Sequence, residues 1–243
     1  MAKLSDFNPS AQRKILAYGA SGTGKTVFAA GFKGRKYFFD FDKKLSSAAS
    51  FYANDAARLA EIEYDDYTLS APGDRPIQRF DAKLRELEKH APGTFPFDVV
   101  VLDSFTTFVD TMMQDILVAN PTIARTKSVT TNIPSMLDYR IQNIHVKSLI
   151  TRMISLPCTF ILIAHIKTEK DELTGRILNL PNAPGGLATH LPVVFEEVYR
   201  TFVEVKGQER LYRAQTQSDD SYQARTQIKG LAPTITLAAS SLG

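Results

Sequence analysis

Short apolar runs alternate along this chain with longer stretches in which apolar residues recur every three or four positions. Segments 14–18 (KILAY), 37–41 (YFFDF), 99–102 (VVVL) and 159–164 (TFILIA) are continuous and rich in β-branched or aromatic residues, the pattern of strands buried on both faces. A shorter strand follows at 62–64. Between them lie helical patterns. Segment 25–32 carries Val27, Phe28 and Ala30, and 46–60 is alanine-rich. Ile77, Phe80, Leu84 and Leu87 fall at helical spacing until Ala91-Pro92-Gly93 stops them. Phe105, Phe108, Val109, Met112, Met113, Ile116 and Leu117 form the clearest stripe, with Ser104 placed to cap it and Asn120-Pro121 to end it. Segment 135–154 reads as another helix. Segments 120–134 and 166–190 are polar and read as loops, while 193–205 and 211–216 read as late strands in a hairpin. Strands alternating with helices predict an α/β fold: a mostly parallel central sheet, helices on both faces and a late antiparallel edge. No repeat divides the chain, so 1–243 is expected to be one domain, with a short arm at 1–13 and a tail at 227–243.

Composition narrows the class. The 243 residues are 44% hydrophobic and 23% charged, which excludes a disordered chain. A net charge of +3 announces no polyanion partner, so evidence for one must be local. The single cysteine, Cys158, excludes an internal disulfide framework and a Cys-rich zinc site. The apolar run at 159–164 is too short to span a bilayer, and MAKLSDFNPS is not a secretory segment. The expectation is a soluble, cytoplasmic protein with no membrane partner.

One motif carries chemistry. Gly19-Ala20-Ser21-Gly22-Thr23-Gly24-Lys25-Thr26 matches G-x-x-x-x-G-K-[ST] in full. Glycines let the backbone wrap a phosphate chain with its N–H groups pointing inward, and a helix opening at Lys25 adds its positive end. Lys25 is placed for the β- and γ-phosphates and the Thr26 hydroxyl for Mg²⁺. A random chain of this length shows the pattern about once in a hundred cases. Here it also follows an expected strand and opens an expected helix, as the motif requires. Asp103, closing the run Val99–Leu102, supplies the second magnesium ligand at the carboxyl end of a strand. No N-K-x-D stretch reads guanine and no SGGQ signature is present, so ATP with Mg²⁺ is the expected ligand pair.

The order of these elements resembles the RecA-fold ATPases, and most of all the short, RecA-core ATPases of bacteriophages classed as nucleotide-binding or single-strand annealing proteins. The residues that carry the resemblance are Asp40 and Asp42 after the P-loop helix, Val99–Ser104, the strand ending in His165, and the pair Gly185-Gly186. The resemblance covers about residues 14–226. It implies a RecA-like P-loop NTPase that hydrolyses ATP by in-line attack of water, stimulated by DNA. Asp42 stands where the family orients that water, usually with Glu, one methylene longer. Asp40 is the rival, expected on the opposite face by strand alternation. His165 stands where a polar residue senses the γ-phosphate. Arg225 is the candidate cation acting in a neighbouring subunit, with Lys229 and Arg200 as rivals. The implied partners are single-stranded DNA, further copies in a ring or filament, and a single-strand DNA-binding protein; the implied setting is a phage host's cytoplasm and the implied role annealing or homologous recombination. An arm of only 2–13 counts against stable filaments.

In such proteins two loops touch DNA, corresponding here to 120–134 and 166–190, with Arg125, Lys127, Lys167 and Arg176 as candidate contacts. From Asn120 to Arg152 there are five basic residues against Asp138 alone, a local balance of +4. The second loop is neutral, and neither holds an aromatic residue for stacking. Two other readings stay open: a small-molecule kinase with 167–176 as its lid, and a nucleotide-gated assembly module whose hydrolysis is slow because Asp42 is short.

Overall fold

The computed structural model describes residues 12–71, 73–119, 133–170, 172 and 175–237. Six strands run parallel: β1 (Lys14–Gly19), β2 (Lys36–Asp40), β3 (Ile62–Asp66), β4 (Val99–Asp103), β5 (Thr159–Lys170) and β7 (Glu197–Lys206). Their spatial order is β3-β2-β4-β5-β1-β7. Two antiparallel strands, β8 (Glu209–Gln215) and β9 (Thr234–Thr236), extend the far edge. β6 (Ile177–Pro181) pairs antiparallel with the outer half of β5. This is the mostly parallel α/β architecture with a late antiparallel edge that the sequence pattern predicts.

The continuous apolar runs follow from burial on both faces. Leu16, Tyr18, Phe39, Val100, Leu102, Phe160 and Leu162 point into one core, shared with α4 (Pro76–Leu87), α5 (Phe105–Ala119) and α6 (Met136–Ile154). Their neighbours Ile15, Ala17, Phe38, Val99, Val101, Ile161 and Ile163 point into the other, covered by α1 (Lys25–Ala30) and α2 (Ser46–Phe51). Alternate residues thus serve opposite cores. Phe108, fully buried against Phe41, Phe80 and Phe105, anchors the first; truncating it to Ala would cost about 3–5 kcal/mol. Ser135 starts α6 with a reciprocal capping box to Asp138, at the boundary the sequence predicts.

Three expectations need correction. The alanine-rich helix at 46–60 is two helices, α2 and α3 (Ala56–Ala60), because Asp55 accepts the Arg58 N–H at 3.0 Å and starts the second. The polar segment 166–190 is not a loop: β5 continues to Lys170, β6 returns beside it, and α7 (Leu187–Val194) follows. Beyond Ala164 the arm leaves the core, so its ladder bonds are made without the apolar alternation that reveals a strand. The strand expected from Val193 begins only at Glu197, since Val193 belongs to α7. Most of the other polar segment, 120–132, lies outside the described residues.

Candidate nucleotide-binding site

The parallel strands end at one edge of the sheet, and there the sequence motif becomes a shaped loop between β1 and α1. Gly22 (φ 76°) and Gly24 (φ 85°) lie in the left-handed region that glycine adopts without strain. Gly19 is required for closeness: a Cβ there would meet the Thr201 carbonyl oxygen at 2.4 Å. Thr23 donates to Ala20 O at 2.8 Å and shares a 2.6 Å hydrogen bond with the Thr201 hydroxyl, fastening the loop to β7.

Lys25 is buried, and its ammonium donates to Gly19 O at 3.0 Å and Ala20 O at 2.7 Å. Burial lowers its pKa to about 8, with Asp103 and Asp42 opposing the fall, so it is mostly charged at neutral pH. The Thr26 hydroxyl donates to Asp103 Oδ2 at 2.6 Å across the gap between α1 and β4. Burial raises Asp103 to about 6, resisted by the Thr26 bond and reinforced by the nearby Asp42 and Asp40 carboxylates. A buried carboxylate with one hydroxyl donor beside it is short of positive charge. The pair fits Mg²⁺, a hard cation that takes one or two protein oxygens and completes its shell with water and phosphate. Among the described residues no group of three or more His, Cys, Asp or Glu side chains could hold a metal.

A second carboxylate sits nearby in a different setting. Asp42 Oδ1 accepts from the Ser104 hydroxyl at 2.9 Å and from the Thr107 hydroxyl; Oδ2 lies 3.3 Å from His165 Nε2 and 3.2 Å from Lys44 Nζ. Burial pushes its pKa up, but the bonds from His165, Thr107 and Ser104 outweigh burial and hold the carboxyl below its usual range. Sequence reasoning placed Asp42 and His165 separately; the structure brings them together. Ser104 and Thr107 were missed as partners. The signal was available, since they occupy the start of α5 one helical turn apart, directly after Asp103.

Asp40 is no rival on an opposite strand face. β2 ends at Asp40, so strand alternation does not extend to Asp42. Asp40 Oδ1 instead accepts the N–H groups of Asp42 (3.1 Å) and Lys43 (2.8 Å), shaping the turn that presents Asp42. His165 also joins the site to the arm: its N–H donates to Thr106 Oγ1 at 3.2 Å and its carbonyl accepts the Asn182 N–H at 2.7 Å.

The remaining candidates lie apart from this cluster. The Arg225 guanidinium donates to the carbonyls of Pro192, Val193 and Phe195, clamping the end of α7 within its own chain. A role in a neighbouring subunit would require giving those bonds up. Arg200 stacks over Tyr222 at 3.8 Å and Phe202 at 4.5 Å, and Lys229 is exposed. Lys167 pairs with Glu169 and Arg176 with Asp220, so the charge of each is partly answered within the chain. Arg125 and Lys127 lie outside the described residues.

A glycine-lined phosphate loop, a buried lysine and a hydroxyl–carboxylate pair at the carboxyl edge of a parallel sheet define a P-loop nucleotide-binding protein. The family model described as AAA domain matches residues 11–228, and the chain belongs to that family, a P-loop ATPase domain. No curated protein matches the sequence. Among solved structures, a KaiC-like protein from the hyperthermophilic archaeon Pyrococcus horikoshii OT3 is similar: 15% identical, with a TM-score of 0.44, covering 84% of this chain and 77% of that one. No helix among the described residues is long and apolar enough to cross a membrane.

Proposed function

We propose that the protein binds ATP with Mg²⁺, hydrolyses it to ADP and phosphate, and couples turnover to single-stranded DNA in annealing or homologous recombination. The observation that carries the nucleotide part is the 2.6 Å pairing of Thr26 with Asp103 beside the buried Lys25. When bound between Thr26 and Asp103, Mg²⁺ would supply positive charge to the β- and γ-phosphates. Lys25 contributes a second fixed charge at the same phosphates. Asp42, ionised at neutral pH, accepts a hydrogen bond from the attacking water and aims its oxygen at the γ-phosphorus. The new bond is from water oxygen to phosphorus; the bond to the ADP oxygen breaks, and the water proton leaves with phosphate or solvent. Positioning and charge neutralisation supply most of the acceleration.

The DNA part is supported by the family resemblance and by the +4 balance from Asn120 to Arg152, where Arg140 and Lys147 stand on the exposed side of α6. Assembly into a ring or filament, a single-strand DNA-binding protein as a further partner and a phage host's cytoplasm belong to the same proposal. An ATPase assay titrated with single-stranded DNA tests it. Turnover should rise about tenfold with DNA, and the stimulation should fall steeply with salt. Lys25→Ala should show no turnover above background. Equal rates with and without DNA would remove the DNA part and leave the ATPase.

A second reading, a nucleotide-gated assembly module with slow hydrolysis, is favoured by the depressed pKa of Asp42, which makes it a weak proton acceptor. It predicts assembly that follows ATP binding, at a rate of turnover too low to matter. A Lys25→Ala protein that assembles normally with and without ATP would count against it. The kinase reading is supported less, because residues 167–170 of the segment it needs as a lid are bound into the β5–β6 ladder.

A further inference from the structure

A cavity of about 250 Å³ lies where α5, α6 and the connection from β6 to α7 meet. Val109, Asp110 and Met113, on one face of α5, form the first wall. Tyr139 and Gln142 of α6 form the second, and Asn182 and Pro184 the third. Its polar groups are short of donors to receive. Gln142 is only 2% exposed, and its Nε2 donates to the Val109 carbonyl at 2.8 Å, which leaves Oε1 as the free atom of the amide. That oxygen accepts no hydrogen bond from the described residues and is not sealed from solvent, so it opens on the cavity that Gln142 lines. Asp110 is exposed on one side and has no ion-pair or hydrogen-bond partner among the described residues. Partial burial alone raises its pKa, with no cation nearby to bring it back. No basic residue lines the cavity, and the Tyr139 ring is 43% exposed at its rim.

We propose that this cavity is a binding site for a guanidinium group, carried into it on an arginine side chain of a partner protein. The chemistry that is missing is a donor with positive charge. A guanidinium has five N–H donors in one plane and accepts nothing, so it can serve the Asp110 carboxylate and the Gln142 amide oxygen together. Tyr139 offers an aromatic ring for the same group to lie against. Val109, Met113 and Pro184 give the methylene stem an apolar path to the charged end. Size points to a side chain: the volume falls below the about 300–1,000 Å³ usual for sites that enclose a whole small molecule. An ammonium fits less well, because it is a more strongly hydrated point charge and lacks the planar fork. The site needs no nucleotide, so it stands apart from the reading of Gly19–Thr26.

Methionine-methyl NMR of the full chain, without nucleotide, reads this site directly. N-acetyl-arginine amide should shift the Met113 methyl with a Kd of about 1 mM, as expected of a lone side chain without the rest of its partner. The Met153 methyl, buried in the core away from this cavity, should not move. N-acetyl-citrulline amide has nearly the same shape without the charge, and should bind at least about tenfold more weakly. N-acetyl-lysine amide should fall between them. Asp110→Asn, a change at an exposed position, should weaken the arginine probe about tenfold, and Gln142→Met about threefold, with thermal unfolding showing that each variant is folded. If Met113 does not respond up to about 20 mM probe, there is no site. Equal binding of the arginine and citrulline probes, or of the arginine probe to wild type and Asp110→Asn, would overturn the charge recognition. Equal binding of arginine and lysine would overturn the guanidinium assignment. Agmatine, a free guanidine without a peptide backbone, should bind no more tightly than the arginine amide; a Kd at least about tenfold lower would make the ligand a small molecule rather than a partner's side chain.

Discussion

Two buried carboxylates stand at the same edge of the sheet, and their surroundings push them in opposite directions. Asp103 has one hydroxyl donor and two like-charged neighbours, and burial raises it to about 6. Asp42 has two hydroxyls, an imidazole and an ammonium within reach, and it is held below the usual carboxylate range. One has a single hydroxyl donor and only the Lys25 charge to offset its burial; the other already has its donors. Divergent environments of this kind separate roles. Asp103 is arranged to receive a cation, and Asp42 to remain an anion that orients a neutral molecule by accepting its proton in a hydrogen bond.

Substitutions that keep shape while removing charge test that division most directly. Asp103→Asn should lower kcat/KM for ATP about a thousandfold, because the amide cannot neutralise a divalent ion and both binding and the transition state suffer. Asp42→Asn should lower kcat about a hundredfold and leave ADP affinity within a factor of two, since the group touches water rather than nucleotide. Steady-state kinetics with parallel ADP titrations distinguish the two patterns. If both variants lose nucleotide affinity equally, the two carboxylates form one binding site and the division of labour fails.

Acid–base linkage offers the same contrast without any nucleotide. The folded-state pKa of Asp103 lies above its ordinary 3.8, so the folded chain holds that proton more tightly than the unfolded chain does. Its contribution to stability therefore falls as pH rises from 3.8 to about 6, then stays level. Asp42 is depressed, so its contribution is present above the ordinary value and is lost as pH falls below it. In metal-free buffer, Asp103→Asn should become more stable relative to wild type between pH 4 and 6, by on the order of 3 kcal/mol at the plateau. Denaturant unfolding across that window measures the difference. A gap that stays flat with pH would mean that Asp103 is not strained when ionised.

The same contrast explains what could be read from the sequence. The Asp103 corner was legible because its parts are local: a contiguous loop motif, and a β-branched run that ends in an acid. Each constrains the backbone so tightly that few residue types satisfy it. β1, β2, β4 and the inner half of β5 were legible for a similar reason, since burial on both faces leaves continuous apolar runs, whereas β7 read only as one strand of a late hairpin. The Asp42 corner is assembled from the turn after β2, the middle of β5 and the start of α5, and only the fold places 42, 104, 107 and 165 together. The Ile177–Pro181 strand escaped notice because it is short and only Leu178 and Leu180 reach the core, too few positions to show an alternation. Arg225 shows what sequence position leaves out: its guanidinium clamps three carbonyls of its own chain, contacts that only the fold reveals.

The smallest effects come from thinning the donors round Asp42 one at a time. Its Oδ1 has two hydroxyl donors, so Ser104→Ala leaves the Thr107 bond in place and should cost only about threefold in kcat. His165 is the one imidazole at Oδ2, and its backbone also bonds to Thr106 and Asn182, so its ring is held by elements on both sides of the site. His165→Ala should cost about tenfold in kcat, because Oδ2 then keeps only the exposed Lys44 and the carboxylate can rotate away from the water. His165→Gln, which restores a donor, should recover most of that loss. Equal losses in the Ala and Gln variants would show that the ring packs the arm against α5 rather than holding the Asp42 carboxylate in place.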